Sequence, residues 1–249
     1  APTITCPAPI SVQCASLVPT PNPSLCTASD NCDPTPTVTF VSDVSNGQSC
    51  PEVITRTYKA TDDCGNVAFC TQTITVDDTV APALTCPAAT SVQCMADVPT
   101  PNPALCTVTD NCDPEPVVTY DDVTLEGSCP NAYTIERTWT ATDDCGNSST
   151  CLQVVTIVDV TPPVIVCPSD MTLECDASTS PNATGVAQAG DNCDPAVTVT
   201  SSDFLSDGNC AYNYTILRTW TAVDDCGNSA SCVQTIIVED TTPPDLTCP

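Results

Sequence analysis

A period of about eighty residues governs the whole chain. Cys6-Pro7, Cys86-Pro87, Cys167-Pro168 and Cys248-Pro249 stand 80, 81 and 81 residues apart. The run DNCDP follows the same period at 30–34, 110–114 and 191–195. ATDDCGN occupies 60–66 and 141–147 and returns with one change, as AVDDCGN, at 222–228. Solenoid repeats are roughly 20–50 residues long, so this period is too long for a solenoid. It is long enough for a small domain with its own core. The division expected is three tandem domains, 1–78, 79–159 and 160–240, with 241–249 opening a further one. VDDTVAP (76–82), VDVTPP (158–163) and VEDTTPP (238–244) read as linkers. The chain starts in the middle of a repeat motif, which reads as a section of something longer.

Within each period the pattern is β. TVTF, VITRTYKATD, YTIERTWTATD and TQTITV alternate apolar and polar residues and are rich in Thr, Val, Ile, Tyr and Trp. Clusters of Pro, Asn, Asp and Gly separate them, and no stretch has a helical period. Six or seven short strands in about 80 residues point to an antiparallel sandwich of immunoglobulin type. The fold class expected is all-β: three tandem immunoglobulin-like sandwiches, stapled by disulfides and set in a rod. Each core would be thin, so covalent staples are physically expected.

Composition narrows the setting. There are 21 Cys and no His, and no C-x2-C pair occurs, which removes the zinc reading. Cysteine at about 8% without metal spacing implies disulfides and an oxidising, extracellular location. Four basic residues stand against 31 acidic ones, a formal charge of -27. Such a chain cannot replace phosphate counterions, so nucleic acid is excluded as a partner, and anionic membrane surfaces are disfavoured. No apolar run approaches the roughly 18–20 residues that span a bilayer, so no direct membrane insertion is expected.

The combination of a CP-containing first strand, DNCDP, RTWTATDDCGN and QTITV leading into a D-x-TPP linker resembles hyalin-type, or HYR-like, repeats. In particular it is similar to versions strung together in giant cell-surface and gliding-motility adhesins of Bacteroidota. The resemblance covers all three periods. It implies an immunoglobulin-like fold, secretion to the cell surface of a bacterium, and an adhesive or stalk role. It implies no particular ligand.

Six cysteines per repeat allow fifteen connectivities. In a sandwich of this kind the first strand runs beside the last, which pairs Cys6–Cys70, Cys86–Cys151 and Cys167–Cys232. The DNC and DDC loops lie at one end of such a sandwich, which pairs Cys32–Cys64, Cys112–Cys145 and Cys193–Cys226. The remainder, Cys14–Cys50, Cys94–Cys129 and Cys175–Cys210, would close the opposite end. Cys26 and Cys106 are extra, since the third repeat has Ala187 at that position. They read as buried free thiols, as alternative partners for Cys14 or Cys50, or as bridges to another chain. Cys248 would pair with a residue beyond the chain.

The repeated Asp pairs could be catalytic, metal-binding or structural. Adjacent carboxylates on one tight turn provide no cleft of the about 5–10 Å that glycosidases need, and without His no triad is available. No enzymatic role is expected. Asp110, Asp113, Asp143 and Asp144 would converge with linker residues Asp77 and Asp78 at one junction. Asp191, Asp194, Asp224 and Asp225 would converge with Asp159 at the next, and Asp30, Asp33, Asp62 and Asp63 form the same set in the first repeat. Calcium, which takes six to eight oxygens, is the candidate cofactor for such junctions. The competing reading is that each Asp caps its own turn.

Arg56, Arg137 and Arg218 stand two residues before Tyr58, Trp139 and Trp220, on the same strand face. Each is expected to pack its stem and pair its head with a local acid or carbonyl. An exposed Arg and Trp platform for glycans is the alternative. The function read from these features is a non-catalytic structural section of a surface adhesin, stalk or extracellular filament. Its partners would be further copies of the repeat. The runner-up is a calcium-dependent module binding a surface glycan or protein.

Overall fold

The computed structural model describes residues 1–210 and 212–247, so Cys248 and its expected partner lie outside the described residues. The chain is all-β and contains three two-sheet sandwiches in succession. The first has β1 (Thr3–Thr5), β2 (Ile10–Val12), β3 (Thr27–Ser29), β4 (Thr37–Ser45), β5 (Glu52–Thr61) and β6 (Val67–Val76). The second has β7 (Ala83–Thr85), β8 (Thr90–Val92), β9 (Thr107–Thr109), β10 (Val117–Glu126), β11 (Tyr133–Thr142) and β12 (Ser148–Ile157). The third has β13 (Val164–Val166), β14 (Met171–Glu174), β15 (Gln188–Gly190), β16 (Thr198–Asp207), β17 (Tyr214–Val223) and β18 (Ser229–Glu239). In each, the first and third strands form a two-stranded sheet, and the other four form a sheet in the order four, five, six, two. The second strand joins the last in parallel, as in Ile10 against Ile74 and Met171 against Ile236. The first strand therefore lies across the sandwich from the last rather than beside it.

Two compact units group the chain: Ala1–Pro87 with Pro101–Asp121 and Arg137–Gln153, and Ala88–Thr100 with Asp122–Glu136 and Val154–Pro249. The long strands of the second repeat contribute to both. Among the described residues no helix is long and apolar enough to cross a membrane. One α-helix of four residues, Pro181–Thr184, replaces the 3-10 turn Pro23–Leu25 of the first repeat.

Strand alternation explains the core. Ile216, Arg218, Trp220 and Ala222 are buried on one face of β17, and Gln234, Ile236 and Val238 on the facing positions of β18. Arg56, Tyr58 and Ala60 repeat the pattern on β5, with Gln72, Ile74 and Val76 on β6. The apolar cluster of the third repeat is Ile216, Ile236 and Val238, flanked by Met171, Leu173 and Tyr214. Few residues fill it, in accord with a small domain that needs covalent support.

The three arginines pack as buried stems. Arg56 donates Nε and Nη2 to the two carboxylate oxygens of Asp43, at 2.9 and 2.8 Å, and Nη1 to the Pro19 carbonyl. Arg218 makes the same fork with Asp203, at 2.7 and 2.8 Å, and donates also to Thr184 Oγ1 and the Thr179 carbonyl. The Arg137 guanidinium lies 5.5 Å from the Tyr120 ring centre and 6.0 Å from that of Trp139. Trp139 and Trp220 are 1% and 3% exposed. Their indole N–H groups donate to Gln153 and Gln234, at 3.1 and 3.4 Å. No indole platform faces solvent at these two positions.

Candidate functional site: cysteine joints between repeats

At the start of each sandwich, DNCDP and DDCGN form one surface. Asp62 closes the second loop on itself. Its Oδ1 accepts the amides of Cys64 and Asn66, its Oδ2 accepts the Asn66 side chain, and Gly65 sits at φ +83°. Only glycine adopts that conformation without strain. Asp33 then ties the loops together by accepting the Asp63 amide at 3.2 Å. Asp143 with Asp113, and Asp224 with Asp194, repeat every one of these bonds. Burial works against ionisation of Asp143. The Asn147 side chain and the amides of Asn147, Cys145 and Gly146 outweigh it and hold the carboxyl below its ordinary range.

Two cysteines of this surface face the preceding repeat. Cys112 bonds to Cys14, and Cys145 to Cys50, across the junction of the first two repeats. Cys193 bonds to Cys94, and Cys226 to Cys129, across the next. Their Cα–Cα distances of 5.1, 5.3, 5.1 and 5.0 Å are those of ordinary disulfides. The expected bridges Cys14–Cys50, Cys94–Cys129, Cys112–Cys145 and Cys193–Cys226 are thereby corrected. Each group does sit at one end of its sandwich, but its thiols point outward, and the tail of one repeat meets the head of the next. Cys32–Cys64 and Cys175–Cys210 are corrected likewise: these four cysteines are exposed and free. Cys6–Cys70, Cys86–Cys151 and Cys167–Cys232 are present, each linking the small sheet side of a sandwich to its last strand.

Cys26 and Cys106 are free and half-buried. Burial pushes both thiols up. Cys26 Sγ lies within 4.8 Å of the Cys6 and Cys70 sulfurs.

The linker threads between the two bridges of a joint. Asp78, 6% exposed, accepts the Val80 amide and the Asn111 side chain on Oδ1, while its carbonyl accepts from Asn147. Asp159 is equivalent, capping Thr161 and accepting from Asn228 on its carbonyl. Gln13 holds Thr79, Gln93 holds Thr161, and Glu174 holds Thr241.

Asp78, Asp113, Asp143 and Asp144 line one cavity at the first junction, and Asp30, Asp33, Asp62 and Asp63 line another in the first repeat. The structure brings together Asp78 with Asp110, and Asp159 with Asp191, each set within 4.8 Å and including a cysteine sulfur already in a disulfide. Oδ2 of Asp110 and of Asp191 is buried without a hydrogen-bond donor. Asp113, Asp143, Asp194 and Asp224 spend both oxygens on turn and loop donors, such as Glu115 and Asp144 for Asp113 and Ala196 and Asp225 for Asp194. Asp144 and Asp225 are exposed, and Asp77 is half-buried, its amide donating to the Val12 carbonyl. A calcium shell takes six to eight oxygens, so water would have to complete any shell that these carboxylates form. Burial pushes the Asp159 carboxyl up, with the charges of Asp191 and Asp224 adding and the Thr161 amide opposing.

Signals for some of this existed in the sequence. Gln72, Gln153 and Gln234 fall in the inward phase of their strands, between the last cysteine and the Ile or Val core positions. A polar residue in that phase must satisfy buried groups, as Gln234 does for the Ser169 and Thr184 carbonyls.

Residues 82–157 match the family described as HYR-like domain with 4 cysteines. The chain is similar to hyalin of Lytechinus variegatus, 31% identical over 213 residues. That match covers 77% of this chain and 38% of the relative, so the chain spans well under half of it. Among solved structures, Drosophila N-cadherin EC1-3 aligns over 95% of this chain and 99% of its own, at 13% identity and TM-score 0.33. Human CDH23 EC21-23 aligns over 96% and 99%, at 15% identity and TM-score 0.33. Likenesses at that level carry no functional argument. The middle repeat thus matches the HYR-like domain, and its neighbours carry the same landmarks 80 or 81 residues away.

Proposed function

We propose that this chain is a non-catalytic, tension-bearing section of an extracellular adhesin, stalk or surface filament. Residues 1–78, 79–159 and 160–240 each act as one domain, and 241–249 begins another. The paired disulfides across each junction carry the reading. A binding module needs an exposed site, whereas two covalent bridges beside every linker serve chiefly to stop neighbouring repeats from parting. Bonds of this kind persist outside a reducing cytosol. The likeness to hyalin supports an extracellular, adhesive setting, and a Bacteroidota surface adhesin is the context that the sequence resemblance implies. The burial of Trp139 and Trp220 counts against a glycan platform built on them.

Single-molecule stretching tests the proposal. With the disulfides intact, the shortest covalent path runs from Ala1 to Cys14, through Cys112 to Cys129, and from Cys226 onward. It holds about 56 residues, roughly 190 Å at ~3.4 Å each, against roughly 850 Å for the reduced 249-residue chain. Extension of the oxidised chain beyond that shorter limit, at forces that leave covalent bonds whole, refutes it.

A further inference from the structure

We propose that the first two repeats each carry a thiol placed to take over one end of their own disulfide. In the first repeat Cys26 displaces Cys70 from Cys6, and in the second Cys106 displaces Cys151 from Cys86. Each sandwich then has two disulfide states, one bolting the small sheet to the last strand and one confined to the small sheet. The inference goes beyond the proposed function, which needs only the bridges across the junctions.

The register of the small sheets sets the partners. β1 pairs with β3 as Thr3 to Ser29, Ile4 to Ala28 and Thr5 to Thr27, so the next opposed pair is Cys6 and Cys26. β7 pairs with β9 as Thr85 to Thr107, which makes Cys86 and Cys106 the next opposed pair. Cys26 and Cys106 are themselves extended, at φ -82° and -77°. Opposed residues of an antiparallel pair stand about 4.5–5.5 Å apart at Cα, within the span that a disulfide bridges. The sulfurs of Cys6, Cys26 and Cys70 all lie within 4.8 Å of one another. In the third repeat Val166 pairs with Gln188, and the next opposed pair is Cys167 and Ala187. That repeat keeps the equivalent disulfide, Cys167–Cys232, with Ala187 where the other two place a thiol.

The step is intramolecular thiol–disulfide exchange. The Cys26 thiolate attacks the Cys6 sulfur, the bond from Cys26 to Cys6 forms as the bond to Cys70 breaks, and the electron pair leaves on Cys70. The proton that Cys26 gave up ends on Cys70. One thiol and one disulfide enter and one of each leaves, so no oxidant or reductant is consumed. Burial pushes the Cys26 thiol up, which lowers its thiolate fraction and slows the attack while the sandwich is closed. Packing of the two sheets holds Cys6 beside Cys70. Once the sheets part, Cys6–Cys26 closes a loop of 20 residues and Cys6–Cys70 one of 64, and the shorter loop is less costly to close. Opening a sandwich therefore moves the disulfide, and reclosing it moves the disulfide back.

Cys32→Ser, Cys64→Ser, Cys175→Ser, Cys210→Ser and Cys248→Ser together remove the competing cysteines from the 249-residue chain. That chain is held in graded urea, quenched in acid, alkylated and peptide-mapped without reductant. Cys6–Cys26 with alkylated Cys70, and Cys86–Cys106 with alkylated Cys151, are expected to rise from a trace to the major form across the urea range that opens the sandwiches. Cys167 should stay bonded to Cys232 over the same range. Adding Cys70→Ala reads the folded state: offered glutathione disulfide without urea, this variant should close Cys6–Cys26, the two thiol hydrogens passing to glutathione. Adding Cys232→Ala instead should leave Cys167 as a thiol or a glutathione adduct. The inference is overturned if Cys6–Cys70 persists beside alkylated Cys26 through the urea range, or if Cys26 bonds to any cysteine but Cys6. Cys6 and Cys26 left unbonded in folded Cys70→Ala overturn it as well, and if that variant does not fold the urea series alone decides. The covalent path that limits stretching does not run through Cys6–Cys70, so failure here leaves the proposed function standing.

Discussion

Asp203 and Asp159 show how one residue type takes opposite roles in this chain. The fork from Arg218 holds the Asp203 carboxyl low, against the effect of burial. Its contribution to stability is complete above the ordinary carboxylate range, about pH 4, and is lost as pH falls through the lowered value. Asp159 has the reverse sign. Its carboxyl is raised, so the folded state binds the proton more tightly, and stability falls as pH rises from about 4 through the raised value. Melting temperatures followed across pH 2–8 should show Asp203→Asn losing much of the acid-side slope. Asp159→Asn should melt above wild type near pH 7, because an amide can donate to the orphaned Oδ2 of Asp191. Added calcium decides what occupies the pair in solution. If a cation holds it, calcium raises the wild-type melting temperature and not that of Asp159→Asn; if a proton holds it, calcium changes neither. The turn-capping role of most Asp was legible from their place beside Gly-Asn and Cys-Asp-Pro. Which carboxylates were left over was not, because that depends on which amides the folded loops bring within reach.

On the scale of the strand, neighbouring positions of β18 should behave in sharply different ways. Gln234 is fully buried and joins the Trp220 indole to the carbonyls of Ser169 and Thr184. Gln234→Leu orphans three polar groups and should cost about 2–4 kcal/mol by chemical denaturation. Val233, 54% exposed on the other face, should tolerate Thr within about 0.5 kcal/mol. The period-two pattern of β17 made the common face of Arg218 and Trp220 readable. The parallel seat of β14 beside β18 was not readable, since a four-residue strand carries too few residues to declare its neighbour.

For the whole chain, the joint is the unit that matters. Cys14→Ser together with Cys50→Ser should uncouple the first repeat from the second. Calorimetry should then resolve a separate early transition for residues 1–78, where the wild type melts the joined repeats together. Closing a loop of 98 residues is worth about 4–5 kcal/mol in the chain-entropy model, which sets the size of the loss per bridge. The cysteine spacing disclosed which thiols share an end of each sandwich. It could not disclose their partners, because six cysteines in one repeat balance equally well within it or between neighbours. Only the placement of consecutive repeats tail to head separates the two.

The seven bridges overlap along the sequence like roof tiles: every backbone bond from Cys6 to Cys232 lies beneath at least one of them. A single protease nick in that span severs no covalent body. Limited digestion should therefore leave one band without reductant and release fragments with it, so the chain can be damaged at many points outside the cell before it is cut.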